Sequence, residues 1–138
     1  MRDRFNREIT YLRLSVTDLC NLRCRYCMPE EGVCKLRHEE ILTEDEMIGA
    51  VEAAASLGIR KLRITGGEPL VKKNILSICR RAAAVQGIEE LCLTTNGTLL
   101  GEFAESLQQA EGRTGFRVSF LYGEIRTEGS AGDSPEGL

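Results

Sequence analysis

No stretch of this sequence approaches the ~18–20 consecutive apolar residues of a membrane-spanning helix. Its start, MRDRFNREIT, has no apolar segment of the kind a secretory signal carries. There is no excess of positive charge either, since 18 Lys plus Arg stand against 21 Asp plus Glu, a net charge of −3. That balance argues against bulk binding to nucleic acid or anionic membrane, both of which call for a basic face. Histidine is almost missing, and the single His38 reads as a surface residue rather than a ligand. The expectation is a cytoplasmic chain with neither nucleic acid nor membrane as partner.

What is present suits one globular domain: 138 residues, 42% hydrophobic and 28% charged. Six cysteines stand out. Without a signal segment they do not read as a secreted disulfide scaffold. Cys20, Cys24, Cys27 and Cys34 crowd one stretch, which points to metal or redox chemistry, whereas Cys79 and Cys92 sit alone in apolar surroundings and read as core residues.

Hydrophobic periodicity predicts an alternation of strands and helices. Tyr11–Val16, Lys61–Thr65, Glu90–Thr95 and Phe116–Phe120 alternate as strands. Thr43-Glu44-Asp45-Glu46 is a capping box opening a helix that Gly58 stops. Further helices are expected over Leu70–Val85 and Leu99–Ala110. This order implies parallel βαβ units. The unusual loops (the cysteines, Gly66-Gly67-Glu68-Pro69, Thr94-Thr95-Asn96-Gly97) all follow strands, on the sheet edge where β/α folds build their sites. After Tyr122 the sequence turns polar and glycine-rich without periodicity, so the expected organisation is a core over 1–121 and a disordered tail over 122–138. Four strands make a part of a β/α barrel, which needs ~250 residues when complete.

Cys20-x-x-x-Cys24-x-x-Cys27 puts three thiolates on one loop. A [4Fe–4S] cluster normally takes four cysteines, so three leave one iron open to a small molecule. A zinc site completed by Cys34 or His38 stays an alternative, as does a redox pair at Cys24 and Cys27.

The run from Leu12 to Pro29 (LRLSVTDLCNLRCRYCMP) closely resembles the opening of the GTP 3′,8-cyclase family of molybdenum cofactor biosynthesis, within the radical S-adenosylmethionine superfamily. The likeness continues through Arg63-Ile64-Thr65-Gly66-Gly67-Glu68-Pro69-Leu70 and Leu93-Thr94-Thr95-Asn96-Gly97-Thr98. It implies the first part of a partial TIM-like (β/α) barrel, a lyase reaction on GTP begun by a 5′-deoxyadenosyl radical, and an electron donor as partner. Position by position, it implies that Cys20, Cys24 and Cys27 ligate the cluster and that Tyr26, Gly67 and Ser119 contact S-adenosylmethionine. Arg13, Arg63 and Thr94 are implied as contacts to GTP, and a guanidinium fork suits phosphate oxygens. No side chain is assigned as a catalytic acid or base, because the radical belongs to the cofactor.

The likeness falters near Ala110, where Phe116-Arg117-Val118-Ser119-Phe120 departs from the family's approach to its fourth strand. The family also has a later region whose three cysteines hold a second [4Fe–4S] cluster, and those ligands are absent here. The expectation is therefore a truncated radical enzyme with doubtful activity by itself, prone to self-association through exposed sheet edges. Other readings are a different radical S-adenosylmethionine enzyme, or a non-catalytic fragment holding iron–sulfur or zinc.

Overall fold

The computed structural model describes residues 1–24, 36–110, 115–120 and 125–126. Strand β1 covers Tyr11–Ser15 and β2 Arg23–Cys24; a short 3-10 turn at His38–Glu40 leads into helix α1, Glu44–Ser56. Then come β3 (Lys61–Thr65), a second 3-10 turn (Pro69–Val71), α2 (Ile75–Ala84), β4 (Glu90–Thr95), α3 (Leu100–Ala110), β5 (Gly115–Phe120) and β6 (Ile125–Arg126). The sheet order is β1-β3-β4-β5, with every pairing parallel. This is the α/β architecture that the periodicity predicts.

Alternation along the strands sorts side chains onto two faces. Leu62, Ile64, Leu91 and Leu93 are fully buried on one, packed with Met47, Val51, Ile75, Ile78, Ala82 and Leu107 of the helices. Burying each large aliphatic side chain contributes roughly 1.5–3 kcal/mol, so this layer holds the domain together. The opposite face carries Tyr11, Arg13 and Ser15, then Lys61, Arg63 and Thr65, then Glu90, Cys92 and Thr94.

Helix α1 begins where the sequence predicts. The Thr43 hydroxyl accepts from Glu46 N, and Thr43 N donates to Glu46 Oε2 at 2.7 Å, satisfying two amides that a helix start leaves open. The helix stops before Gly58, whose φ of 97° is a conformation that side chains disfavour.

One expectation needs correction, and two short strands add to the rest. The helix predicted from Leu70 starts at Ile75, because Pro69–Val71 closes a separate turn and Lys72 is extended. The Glu68 carboxylate caps that turn, accepting from Leu70 N at 3.0 Å. Strands β2 and β6 were not anticipated, since two residues carry no periodicity. They pair antiparallel with each other, Arg23 with Arg126 and Cys24 with Ile125. The remainder of 122–138 lies outside the described residues.

Candidate cofactor and substrate site

The loops leaving β1, β3 and β4 are bound to one another at one edge of the sheet. Val16 N donates to Thr65 O at 3.0 Å, Gly67 N to Thr17 O at 2.9 Å and Glu68 N to Leu19 O at 2.7 Å, so the chain before Cys20 lies directly along the Gly66-Gly67-Glu68 segment. A Cβ at Gly67 would fall 2.2 Å from Leu19 O, and one at Gly66 2.5 Å from Thr17 O. Contacts that short do not occur. The glycine pair thus admits the backbone of the cysteine loop at close range.

Local bonds shape that loop. The Thr17 hydroxyl accepts from Leu19 N at 3.1 Å, and Arg23 Nη1 donates to Cys20 O at 3.2 Å and Leu22 O at 3.0 Å. Asp18 Oδ2 accepts from Leu36 N at 2.8 Å, tying the loop's start to its far end. Cys20 and Cys24 are half-buried. Cys27, Tyr26 and Cys34 lie outside the described residues, and among the described ones no three ligating groups converge. The donor set fits an iron–sulfur cluster: soft thiol ligands on a loop held by backbone contacts, with an arginine beside it.

Glu68 joins the second loop to the third. It is fully buried, with Oε1 accepting from Thr95 Oγ1 at 2.7 Å and Oε2 from Asn96 N at 2.7 Å, besides its bond from Leu70 N. A buried carboxylate is tolerable only when so satisfied. A ring of side chains closes the circuit at the surface. Asn21 Nδ2 donates to Thr98 Oγ1 at 2.8 Å, Thr98 Oγ1 to Asn96 Oδ1 at 2.9 Å, and Asn96 Nδ2 to Asn21 Oδ1 at 2.9 Å.

The polar face brings together the residues implied as substrate contacts. Arg13 and Arg63 are register partners on β1 and β3. Arg63 donates through Nη1 to Thr94 Oγ1 at 3.0 Å and through Nε to the Tyr11 hydroxyl at 2.5 Å. Ser119 pairs in register with Thr94, which puts its backbone beside that group. Toward the other end of the face, Lys61 and Glu90 form an ion pair at 3.1 Å. Sequence reasoning missed Tyr11, Asn21, Glu68 and Asn96; only Glu68, a carboxylate amid small and apolar residues, carried a signal.

Burial pushes the Cys79 thiol up to about 12, and it raises Cys92 as well, helped by Glu90. Thiols held protonated are poor ligands, which agrees with reading both as packing residues.

A family model described as the Radical SAM superfamily matches residues 14–122. The chain belongs to the radical SAM superfamily. Membership implies the superfamily's cofactors, an iron–sulfur cluster and S-adenosylmethionine. The chain is 51% identical over 110 residues to a GTP 3′,8-cyclase of Alkaliphilus oremlandii, covering 80% of this chain and 34% of that protein. It is 56% identical over 108 residues to one from Geobacter sulfurreducens, covering 78% and 33%. Likeness to the GTP 3′,8-cyclase of Pelotomaculum thermopropionicum, 48% over 144 residues, covers 100% of this radical SAM chain and 44% of the relative. In that comparison the resemblance continues past Ala110. The chain spans about a third to somewhat under half of these relatives. Among the described residues no helix is long and apolar enough to cross a membrane.

Proposed function

We propose that this chain is the cofactor-binding portion of a GTP 3′,8-cyclase. In this reading Cys20, Cys24 and Cys27 hold a [4Fe–4S] cluster with one iron left open, and Tyr26, Gly67 and Ser119 contact S-adenosylmethionine. Arg13, Arg63 and Thr94 receive GTP. When bound, the cluster and S-adenosylmethionine supply one-electron chemistry that begins with a hydrogen atom taken from the ribose of GTP.

The chain's own residues position and hold. The observation that carries the reading is the register of Arg13 beside Arg63 on the polar face, at the edge from which the cysteine loop departs. Like charges side by side across a sheet are destabilising unless something compensates them, and a triphosphate does so with oxygens that a guanidinium fork can meet in pairs. Arg13 has no carboxylate partner among the described residues. Tyr11 and Thr94 hold the Arg63 fork in one orientation, which lowers the entropy lost on binding. The buried Glu68 keeps the three loops in fixed relation, so cofactor and substrate meet at one edge. A second cluster would need ligands other than Cys79 and Cys92, whose side chains are fully buried. An electron donor and self-association complete the proposed partners, and the cytoplasm is the proposed compartment.

The test is anaerobic reconstitution with iron and sulfide, then EPR of the reduced chain with and without S-adenosylmethionine. A [4Fe–4S] signal that changes on adding S-adenosylmethionine is the expected result. Calorimetry with GTP should then show binding that Arg13→Ala weakens by tenfold or more, a loss of about 1.4 kcal/mol. A cluster blind to S-adenosylmethionine, or GTP binding indifferent to Arg13, would refute the reading.

A further inference from the structure

The ring formed by Asn21, Asn96 and Thr98 has no place in the chemistry above, yet it spans the two halves of the site. Each of its side chains donates one hydrogen bond and accepts one around the circle. Asn21 directly follows Cys20 inside the cysteine motif, while Asn96 stands two residues after Thr94. Asn96 is also held from beneath, its amide donating to the buried Glu68, whose own amide donates to Leu19 O. Two separate tethers therefore join the start of the cysteine loop to the end of β4. They differ in setting. Glu68 is fully buried, whereas Asn21 and Thr98 are exposed, so water can replace the ring's bonds at small net cost. A surface ring of this kind adds little to fold stability; what it fixes is the position of the loop.

We propose that Asn21 is a positioning residue that couples the cysteine loop to the substrate end of β4. Organising the loop around its cofactor steadies the ring, a steadier ring fixes Asn96, and the strand carries that constraint to Thr94, the hydroxyl that holds Arg63. Loading the cofactor side then holds the Thr94–Arg63 arrangement more firmly for an incoming triphosphate. The inference rests on the reading of the site as a cofactor loop facing a GTP-binding face.

The experiment uses the full chain, with GTP as the probe. Its dissociation constant is measured by calorimetry for the metal-free chain and for the chain loaded with cluster and S-adenosylmethionine. Loading should tighten GTP binding at least about fivefold, the lower end of ordinary coupling between sites. In Asn21→Ala the ratio should fall to about one with metal-free affinity unchanged. Thr98→Val opens the ring from the other side while leaving the cysteine motif intact, and it should do the same. A residue of merely structural importance would lower both affinities and leave the ratio alone. An undiminished ratio in Thr98→Val, or no tightening in the wild type, overturns the proposal. If the wild type binds GTP in neither state, the substrate assignment fails by itself, and amide hydrogen exchange decides the coupling. The Asn96 and Thr98 amides should exchange more slowly on loading in the wild type and be unaffected by loading in Thr98→Val. Equal slowing in both, or none in either, overturns it.

Discussion

The two faces of the parallel sheet are built from alternate residues of the same strands, and they have opposite characters. Leu62 and Ile64 of β3 are sealed under the helices, while Lys61, Arg63 and Thr65 between them are half-buried on the other side. On β4, Leu91 and Leu93 alternate with Glu90, Cys92 and Thr94, of which only Glu90 is half-buried and the other two are buried. Parallel sheets are ordinarily covered on both faces and read as continuous apolar runs. Here the second face carries arginine, lysine, glutamate and threonine, bound to one another across the strands. One set of residues specifies the fold, and the other is kept polar for something besides the fold.

Substitutions that touch one face at a time break this comparison most directly. Leu93→Ala removes a fully buried side chain from the helix-covered face and should destabilise the chain by about 2–5 kcal/mol in urea unfolding. Arg13→Ala, on the exposed edge strand of the polar face, should change stability by no more than about 0.5 kcal/mol while weakening GTP binding. Equal losses of stability would mean that the faces are not divided in this way. A smaller effect is expected at the seam between them. Gly67→Ala forces a methyl to within 2.2 Å of Leu19 O, so the cysteine loop must shift. Overpacking of this kind costs about 1–3 kcal/mol, and the iron content per chain after reconstitution should fall with the melting temperature. Glu68→Gln keeps the shape but turns an acceptor into a donor facing other donors. About 1 kcal/mol or more should be lost, read in the same melts.

Much of the helix-covered face was legible in the sequence, because burial imposes a period. The four strands, three helices and the Thr43–Glu46 capping box follow from spacing and side-chain chemistry alone. The start of α2 did not, because the Leu70-Val71 pair continues a helical apolar pattern although Pro69 and Glu68 close a separate turn there. The polar face was legible only through resemblance: Arg13, Arg63 and Thr94 read in isolation as solvent-facing strand residues, and only the register shows them as neighbours. Least visible were the ties between loops. Asn21 and Asn96 are far apart in the chain, and nothing in one asparagine's surroundings announces the other. The glycine pair stands out in the sequence, but its close approach to the loop before Cys20 does not, because Thr17 and Leu19 lie about fifty residues away in the chain.

The smallest effect sharpens the comparison from the helix side. Glu44, the first residue of α1, accepts from Ser77 Oγ at 2.6 Å, Arg81 Nη1 at 2.9 Å and Asn74 Nδ2 at 2.8 Å, joining α1 to α2 through one carboxylate. Those donors, with Ser77 foremost, followed by Arg81 and Asn74, lower its pKa from 4.5 to about 2. Because the folded value lies below the unfolded one, the contribution is fully present above pH 4.5 and is lost as pH falls through about 2. Melting temperature should therefore decline across that window in the wild type. In Glu44→Gln it should start lower at pH 6 and fall less between pH 4.5 and 2, since the amide has no proton to take up. The α1–α2 seam lies on the far side of the sheet from Arg63 and Thr94, so the same substitution should leave GTP affinity at neutral pH unchanged. A shared loss would mean that strain at the helix layer reaches the polar face through the sheet, and the division between the faces would then hold for composition alone.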